Sequence, residues 1–278
     1  MTPQQKTIKD PVVMEGRGLQ TGSRIKLVLK SSPANSGINF IRTDLPDKPL
    51  INIRSLSLAG QAAKRRRTVI GAGSAQIQTT EHLLAALSGL GISNVVAEVN
   101  GRELPALDGS AKDYVSALDR AGIVEQDAPS QVLAIKEPVW CSGKGSFLAV
   151  FPHSGLRISY YLSYQAPSIG EQFLSLDISE DLFRRGIAPA RTFCMKTEAI
   201  LLLALGLGRG ADYNNTLVMG KTGPFKNKLR FPDEPVRHKI LDLVGDLSLV
   251  GMPIQGHVVA VKSGHRLNME LVRKLKKL

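Results

Sequence analysis

Cysteine is nearly missing from this chain: only Cys141 and Cys194 occur in 278 residues. Two thiols are too few for a disulfide framework, so the expected setting is a reducing cytoplasm. Aromatic residues are scarce too, at 5%. No basic stretch is interleaved with them in the way a stacking platform for nucleic acid requires. Long apolar runs are also lacking. The longest, AILLLALGLG (199–208), falls well short of the ~20 residues that span a bilayer. The opening MTPQQKTIKDPVV lacks the charged-then-apolar order of a secretory signal. These absences turn the reading away from a disulfide scaffold and a membrane-spanning chain.

What is present suits a soluble globular protein: 43% hydrophobic and 22% charged residues. The length allows two domains of ordinary size. The net charge of +12 gathers partly in KRRR (64–67) and VRKLKKL (272–278). Such a balance suits a polyanionic partner, whether nucleic acid, an anionic lipid surface or a phosphorylated small substrate. The low aromatic content speaks against nucleic acid, although a basic RNA-binding module using Lys64–Arg67 and the C-terminal helix is the competing class.

The first half reads as short strands joined by turns: RIKLVLKSS, then GINFIRTDL after PANS, then LINIRSLSL after PDKP. A helix follows at 79–92, TTEHLLAALSGLGI, with Thr79 or Thr80 as N-cap, Glu81 in the first turn and glycines closing it. The strand NVVAEVNG leads to a second helical stretch over 107–123. Residues 125–131, EQDAPSQ, make the expected linker between an N-terminal domain, 1–126, and a C-terminal domain, 130–278. The second half repeats the order, with strands in VLAIKEPVW, SFLAVFP and RISYYLSY. A helix from Glu234 with Pro235 in its first turn comes next, then the strand IQGHVVAVKSG and a closing helix. A histidine heads the first helix of each half. The expectation is therefore an α+β fold of two similar modules packed together.

In the second of these helices Ile240, Leu241, Leu243, Val244 and Leu247 form one stripe. His238, Lys239, Asp242 and Asp246 lie opposite, with His238 and Asp242 at i and i+4. In the first helix Leu83, Leu84 and Leu87 face the core, and small residues, Ala85, Ala86, Ser88 and Gly89, accompany Glu81 and His82. Small residues there suggest that another element packs close. Paired through these faces, His82, His238 and Asp242 converge as two imidazoles and a carboxylate with a free fourth position, the coordination of a catalytic zinc. No HExxH motif accompanies them. Glu81 is then placed to take a proton from zinc-bound water. His265, on the glycine turn KSGHR, is placed to donate one, with Asp246 holding its ring. His153 and His257 read as structural.

TTEHLLAALSGLGISN, NGRELPALDGSA, ARTF, LRFPDEPVRHKILDLVGDL and KSGH strongly resemble the UDP-3-O-acyl-N-acetylglucosamine deacetylases, zinc-dependent enzymes of the committed step of lipid A biosynthesis. The likeness runs from GRGLQTG to KSGHRLN. It implies His82, His238 and Asp242 as ligands of one Zn2+, Glu81 as general base, and His265 as acid with Asp246 behind it. It further implies that Thr192 steadies the oxyanion and that Phe193 and Lys239 contact an acylated UDP-sugar. The implied architecture is two βααβ-type sandwich domains packed through their helices, each with a small insert. The second insert is expected within 194–215, its apolar helix guiding the acyl chain. A monomer with peripheral contact to an anionic membrane face is expected, and no nucleic-acid partner; the second alternative is a zinc deacetylase of the same architecture acting on another N-acyl sugar. Two positions depart from the family pattern: Gln20 stands where a histidine is usual, and Arg66 where a cysteine is frequent.

Overall fold

The computed structural model describes residues 3–56 and 67–278. The chain opens with β1 (Gln4–Ile8), β2 (Val12–Arg17), β3 (Arg24–Ser31), β4 (Ile38–Arg42) and β5 (Leu50–Asn52). Two short strands, β6 (Val69–Ile70) and β7 (Ile77–Gln78), precede α1 (Glu81–Gly89), β8 (Val95–Val99), α2 (Lys112–Ala121) and β9 (Ile123–Pro129). One sheet has the order β2-β3-β8-β4-β5; its neighbours are antiparallel except β4 with β8.

The remaining chain rebuilds this plan. It runs through β10 (Leu133–Ala134), β11 (Val139–Gly143), β12 (Ser146–Phe151), β13 (Leu156–Ser163) and β14 (Glu171–Asp177). A helical turn, α3 (Glu180–Leu182), leads to β15 (Phe193–Met195), α4 (Lys196–Ala204) and β16 (Leu217–Met219). Then come α5 (Glu234–Leu247), β17 (Ile254–Val261) and α6 (His265–Leu275). The second sheet has the order β11-β12-β17-β13-β14, with β10 also beside β17. Its parallel pair, β13 with β17, occupies the place of β4 with β8. In both sheets one helix precedes the central strand and one follows it. The fold is α+β, as expected.

The inner helices α1 and α5 pack on each other. Alternate burial along β8 and β17 gives each sheet one face toward this helical layer. α1 is buried along its length except at Ser88, and α5 except at Arg237 and Lys239. The polar side of α5 is thus covered by protein, which a free amphipathic surface helix would not show. α2 and α6 keep one polar face toward solvent. No helix among the described residues is long and apolar enough to cross a membrane.

Two local expectations differ from the structure. The expected linker is mostly strand: β9 runs through Pro129 and pairs antiparallel with β1. Its polar residues serve the pairing region, since Gln126 accepts from Asn94 Nδ2 at 2.7 Å and donates to the Ser32 carbonyl at 2.9 Å. The segment 132–140 is two strands, β10 and β11, because Pro138 between them has no N–H for a ladder. The basic C-terminus is also engaged internally. Lys274 Nζ donates to the Trp140 carbonyl at 2.6 Å, and Lys276 Nζ to the carbonyl of Ile53 at 2.9 Å. Of KRRR, residues 64–66 lie outside the described residues, Arg66 among them.

Candidate metal centre and active site

The closeness of α1 and α5 originates in a missing side chain. A Cβ at Gly245 would lie 2.0 Å from the Glu81 carbonyl oxygen, so only glycine admits this approach. The contact brings the head of α1 against the inner side of α5. His82 Nε2 lies 3.7 Å from Asp242 Oδ1, and His238 Nε2 lies 3.4 Å from the same oxygen. The imidazoles meet edge to face with centroids 5.1 Å apart. One donor atom from each of His82, His238 and Asp242 falls within 4.8 Å of the others, and all three residues are buried.

Two of the three donors, His238 and Asp242, are held by bonds made outside the cluster. His238 Nδ1 donates to the Ala190 carbonyl at 3.0 Å, which leaves Nε2 with its lone pair facing inward. Burial pushes the His238 pKa down to about 3, with the nearby His82 and Lys239 adding to the effect. Burial also opposes charge on Asp242, but His238, Lys239 and a bond from His82 outweigh it and hold this carboxyl well below the carboxylate range. Lys239 Nζ sits 2.6 Å from Asp242 Oδ2, and that partner keeps the half-buried ammonium charged. A neutral imidazole and an ionised carboxylate aimed at one point fit a divalent cation by the chemistry of the donor set.

Beside this set stand a buried carboxyl, Glu81, and a buried imidazole, His265. Glu81 is buried, and desolvation raises its pKa above the ordinary glutamate value against the pull of His265 and His82. Its Oε2 accepts the Thr68 backbone N–H at 3.0 Å, and its Oε1 lies 3.9 Å from His265 Nε2. His265 opens α6 and pairs through Nδ1 with Asp246 Oδ2 at 2.8 Å. Burial disfavours its charge, yet Asp246, then Asp242 and Glu81, push its pKa up to about 9. Asp246 accepts from two further groups: Asn268 Nδ2 donates to Oδ2 at 2.7 Å, and the Thr68 hydroxyl to Oδ1.

The segment that enters β15 completes the surroundings. The Phe193 ring centroid is 6.1 Å from that of His238, and Lys239 Nζ is 5.8 Å from the Phe193 centroid. Thr192 adjoins them in the chain. Its N–H donates to the Gly109 carbonyl and its carbonyl accepts from Leu217, both at 2.8 Å. His153 and His257 stand together elsewhere, centroids 6.0 Å apart, with His257 Nε2 2.8 Å from Ser159 Oγ. Gln20 Oε1 accepts the Gly208 N–H at 3.3 Å, beneath the segment that follows α4.

The sequence model of a family described as LpxC, UDP-3-O-acyl N-acetylglycosamine deacetylase, matches residues 5–277. The chain belongs to this family. Three deacetylases named UDP-3-O-acyl-N-acetylglucosamine deacetylase illustrate the similarity. That of Chlamydia felis is 42% identical over 98% of this chain and 96% of its own length. The enzyme of Thermodesulfovibrio yellowstonii is 40% identical over 98% of this chain and 92% of its own. The Bdellovibrio bacteriovorus enzyme is 39% identical over 98% and 89%.

Three residues of this deacetylase-family site escaped sequence reasoning. Thr68 touches both the Glu81 carboxylate and the Asp246–His265 pair. Arg191 and Glu234 form a buried ion pair, Nε to Oε1 at 2.8 Å, and the Arg191 N–H also donates to Glu234 at 3.0 Å. That pair fixes the backbone carrying the Ala190 carbonyl against the first turn of α5. A lone threonine beside a basic run, or an arginine before a threonine, carries no signal of these partners; only the position of ARTF and of the glutamate ahead of a proline pointed nearby.

Proposed function

We propose that the chain hydrolyses the acetamide of UDP-3-O-acyl-N-acetylglucosamine to UDP-3-O-acyl-glucosamine and acetate, in lipid A biosynthesis. His82, His238 and Asp242 would hold one zinc ion. Bound there, zinc lowers the pKa of a coordinated water toward 7 and polarises the carbonyl. Glu81, a buried base of raised pKa, accepts the water proton at Oε1. The Thr192 hydroxyl donates to the oxyanion. His265, charged up to about pH 9, delivers its Nε2 proton to the departing nitrogen, and Asp246 and Thr68 keep its ring aimed. Water supplies the oxygen of acetate, and its two protons end on nitrogen, one by way of the acid.

Lys239 meets the anionic diphosphate and Phe193 flanks the sugar. The inward strip of α4 guides the acyl chain. The same reading divides the chain into an N-terminal unit, residues 1–126, and a C-terminal unit, 130–278, and takes it as a cytoplasmic monomer that meets an anionic membrane face.

One observation carries this reading: three metal-type donors converge beside a buried carboxylate and an imidazole backed by a second carboxylate, in a member of a deacetylase family. Acetate release from acylated and non-acylated UDP-N-acetylglucosamine, with zinc measured in the same samples, tests it. Glu81→Ala should retain zinc and lose at least ~10²-fold in turnover, whereas His238→Ala should lose both. Near-native turnover in Glu81→Ala, or chelator-resistant turnover in the unsubstituted chain, would overturn it.

A further inference from the structure

α4 is a preformed helix that buries none of its own side chains. Both ends are closed by sequence-specific caps. Glu198 Oε2 accepts the Met195 N–H at 3.0 Å at the start. At the end Gly206, at φ +71°, lets its N–H and that of Leu207 bond back to the Leu203 and Leu202 carbonyls at 3.0 and 2.9 Å. The helix is therefore held in shape while Leu201 and Leu203 stay in water. Ile200, Leu201, Leu203 and Leu205 are 59–66% exposed. At 100° per residue these four and Ala204 cover an arc of about 200°, whereas Ala199 and Leu202 turn toward the body. A single extended acyl chain covers one strip of such a helix, so the arc facing away needs another cover.

The charge around it points to what that cover is. Lys196 Nζ lies 4.1 Å over the Phe225 ring at the beginning of α4, and Lys226 lies over Tyr213 and Phe225. Arg209 folds back to the opposite end, where a Cβ on Gly206 would be 3.2 Å from its Nη2. Lys196, Arg209 and Lys226 are exposed, as are Lys221 and Lys228 in the following loop. The acidic residues of this stretch are already engaged: Glu198 caps the helix and Asp212 accepts from Asn214 and Asn215. An exposed leucine arc flanked at both ends by cations, with tyrosine and phenylalanine at the rim, has the amphipathic make-up of a lipid interface anchor.

We propose that the outer arc of α4, with Lys196, Lys226 and Arg209 around it, docks the protein on the anionic surface of a phospholipid bilayer. This names the surface behind the membrane contact in the reading above. Leu201 and Leu205 enter the headgroup–acyl boundary, and each cation near the surface adds on the order of fivefold in affinity at low salt. The inward side of the helix stays with the protein body.

Flotation of the full chain with vesicles, without substrate, tests this independently of turnover. Binding to vesicles of equal phosphatidylglycerol and phosphatidylcholine should be at least ~10-fold tighter than to pure phosphatidylcholine, and should weaken in high salt. Leu201→Glu/Leu205→Glu should lose ~10-fold or more on the anionic vesicles. Lys196→Glu/Lys226→Glu should lose the preference for them. The circular dichroism and unfolding temperature of the leucine variant should match those of the unsubstituted chain, showing that it folds. Equal affinity for both vesicle types, or unchanged binding in the leucine variant, overturns the proposal. So does a concentration-dependent dimer that the leucine variant abolishes while the unsubstituted chain leaves vesicles unbound, since the arc would then join two copies.

Discussion

At the scale of single residues, the imidazole of His265 takes its charge first from one neighbour, ahead of Asp242 and Glu81. Asp246 stands 2.8 Å from Nδ1 and is the first of the charges that push this pKa up to about 9. In the proposed reaction the protonated form is the one that donates, so activity should persist at neutral pH and fall as pH passes through that value. Asp246→Asn removes the negative charge, which lowers the pKa. The alkaline limb of kcat/KM should therefore move to lower pH, and an unmoved limb would separate His265 from the proton transfer. Thr68 acts behind this pair. Thr68→Val keeps the shape and removes the hydroxyl, leaving Asp246 Oδ1 buried without that donor, at a cost of about 1–3 kcal/mol. Turnover should drop ~10-fold with metal content unchanged, and Thr68→Ser should restore it.

At the scale of elements, the site depends on how nearly α1 and α5 touch. Gly245→Ala puts a methyl where the Glu81 carbonyl oxygen sits 2.0 Å away, so the helices must part. Overpacking of this kind costs about 1–3 kcal/mol. Thermal unfolding should shift down by several degrees, and metal affinity should fall because His82 lies on one helix while His238 and Asp242 lie on the other. These helices were legible in the sequence. Leucine periodicity gave their core faces, and the run of alanine and glycine beside Glu81 and His82 signalled close approach. The convergence of His82, His238 and Asp242 was legible as a possibility, and the long motifs raised it. Other features were not legible, because pairing is chosen by distant partners. β9 reads as a polar connector until β1 is laid beside it. The Arg191–Glu234 pair is invisible until the loop before β15 meets the head of α5. The run 199–208 could also have been plain core; in the structure Leu201, Leu203 and Leu205 are exposed.

At the scale of the whole molecule, the ends of the chain tie the parts together. β1 pairs with β9, Gln5 Nε2 donates to the Pro129 carbonyl at 3.0 Å, and Lys276 reaches back to carbonyls of Ile53, Arg54 and Leu56. Removing residues 1–9 would leave β9 as an unpaired edge. The truncated protein should unfold at a lower temperature and aggregate more readily, as light scattering on heating would record. Unchanged unfolding would make the ribbon dispensable.

The donors are shared unequally between two sheets of like topology: one imidazole comes from the helix beside the first, and an imidazole and a carboxylate from the helix beside the second. An ion seated among them is a clasp as well as a reagent. It grips the native arrangement and has no matching grip on the unfolded chain, so each tenfold rise in free ion above its dissociation constant adds about 1.4 kcal/mol to folding stability. Scarcity of the metal would then loosen the seam between the halves at the same time as it silenced the chemistry.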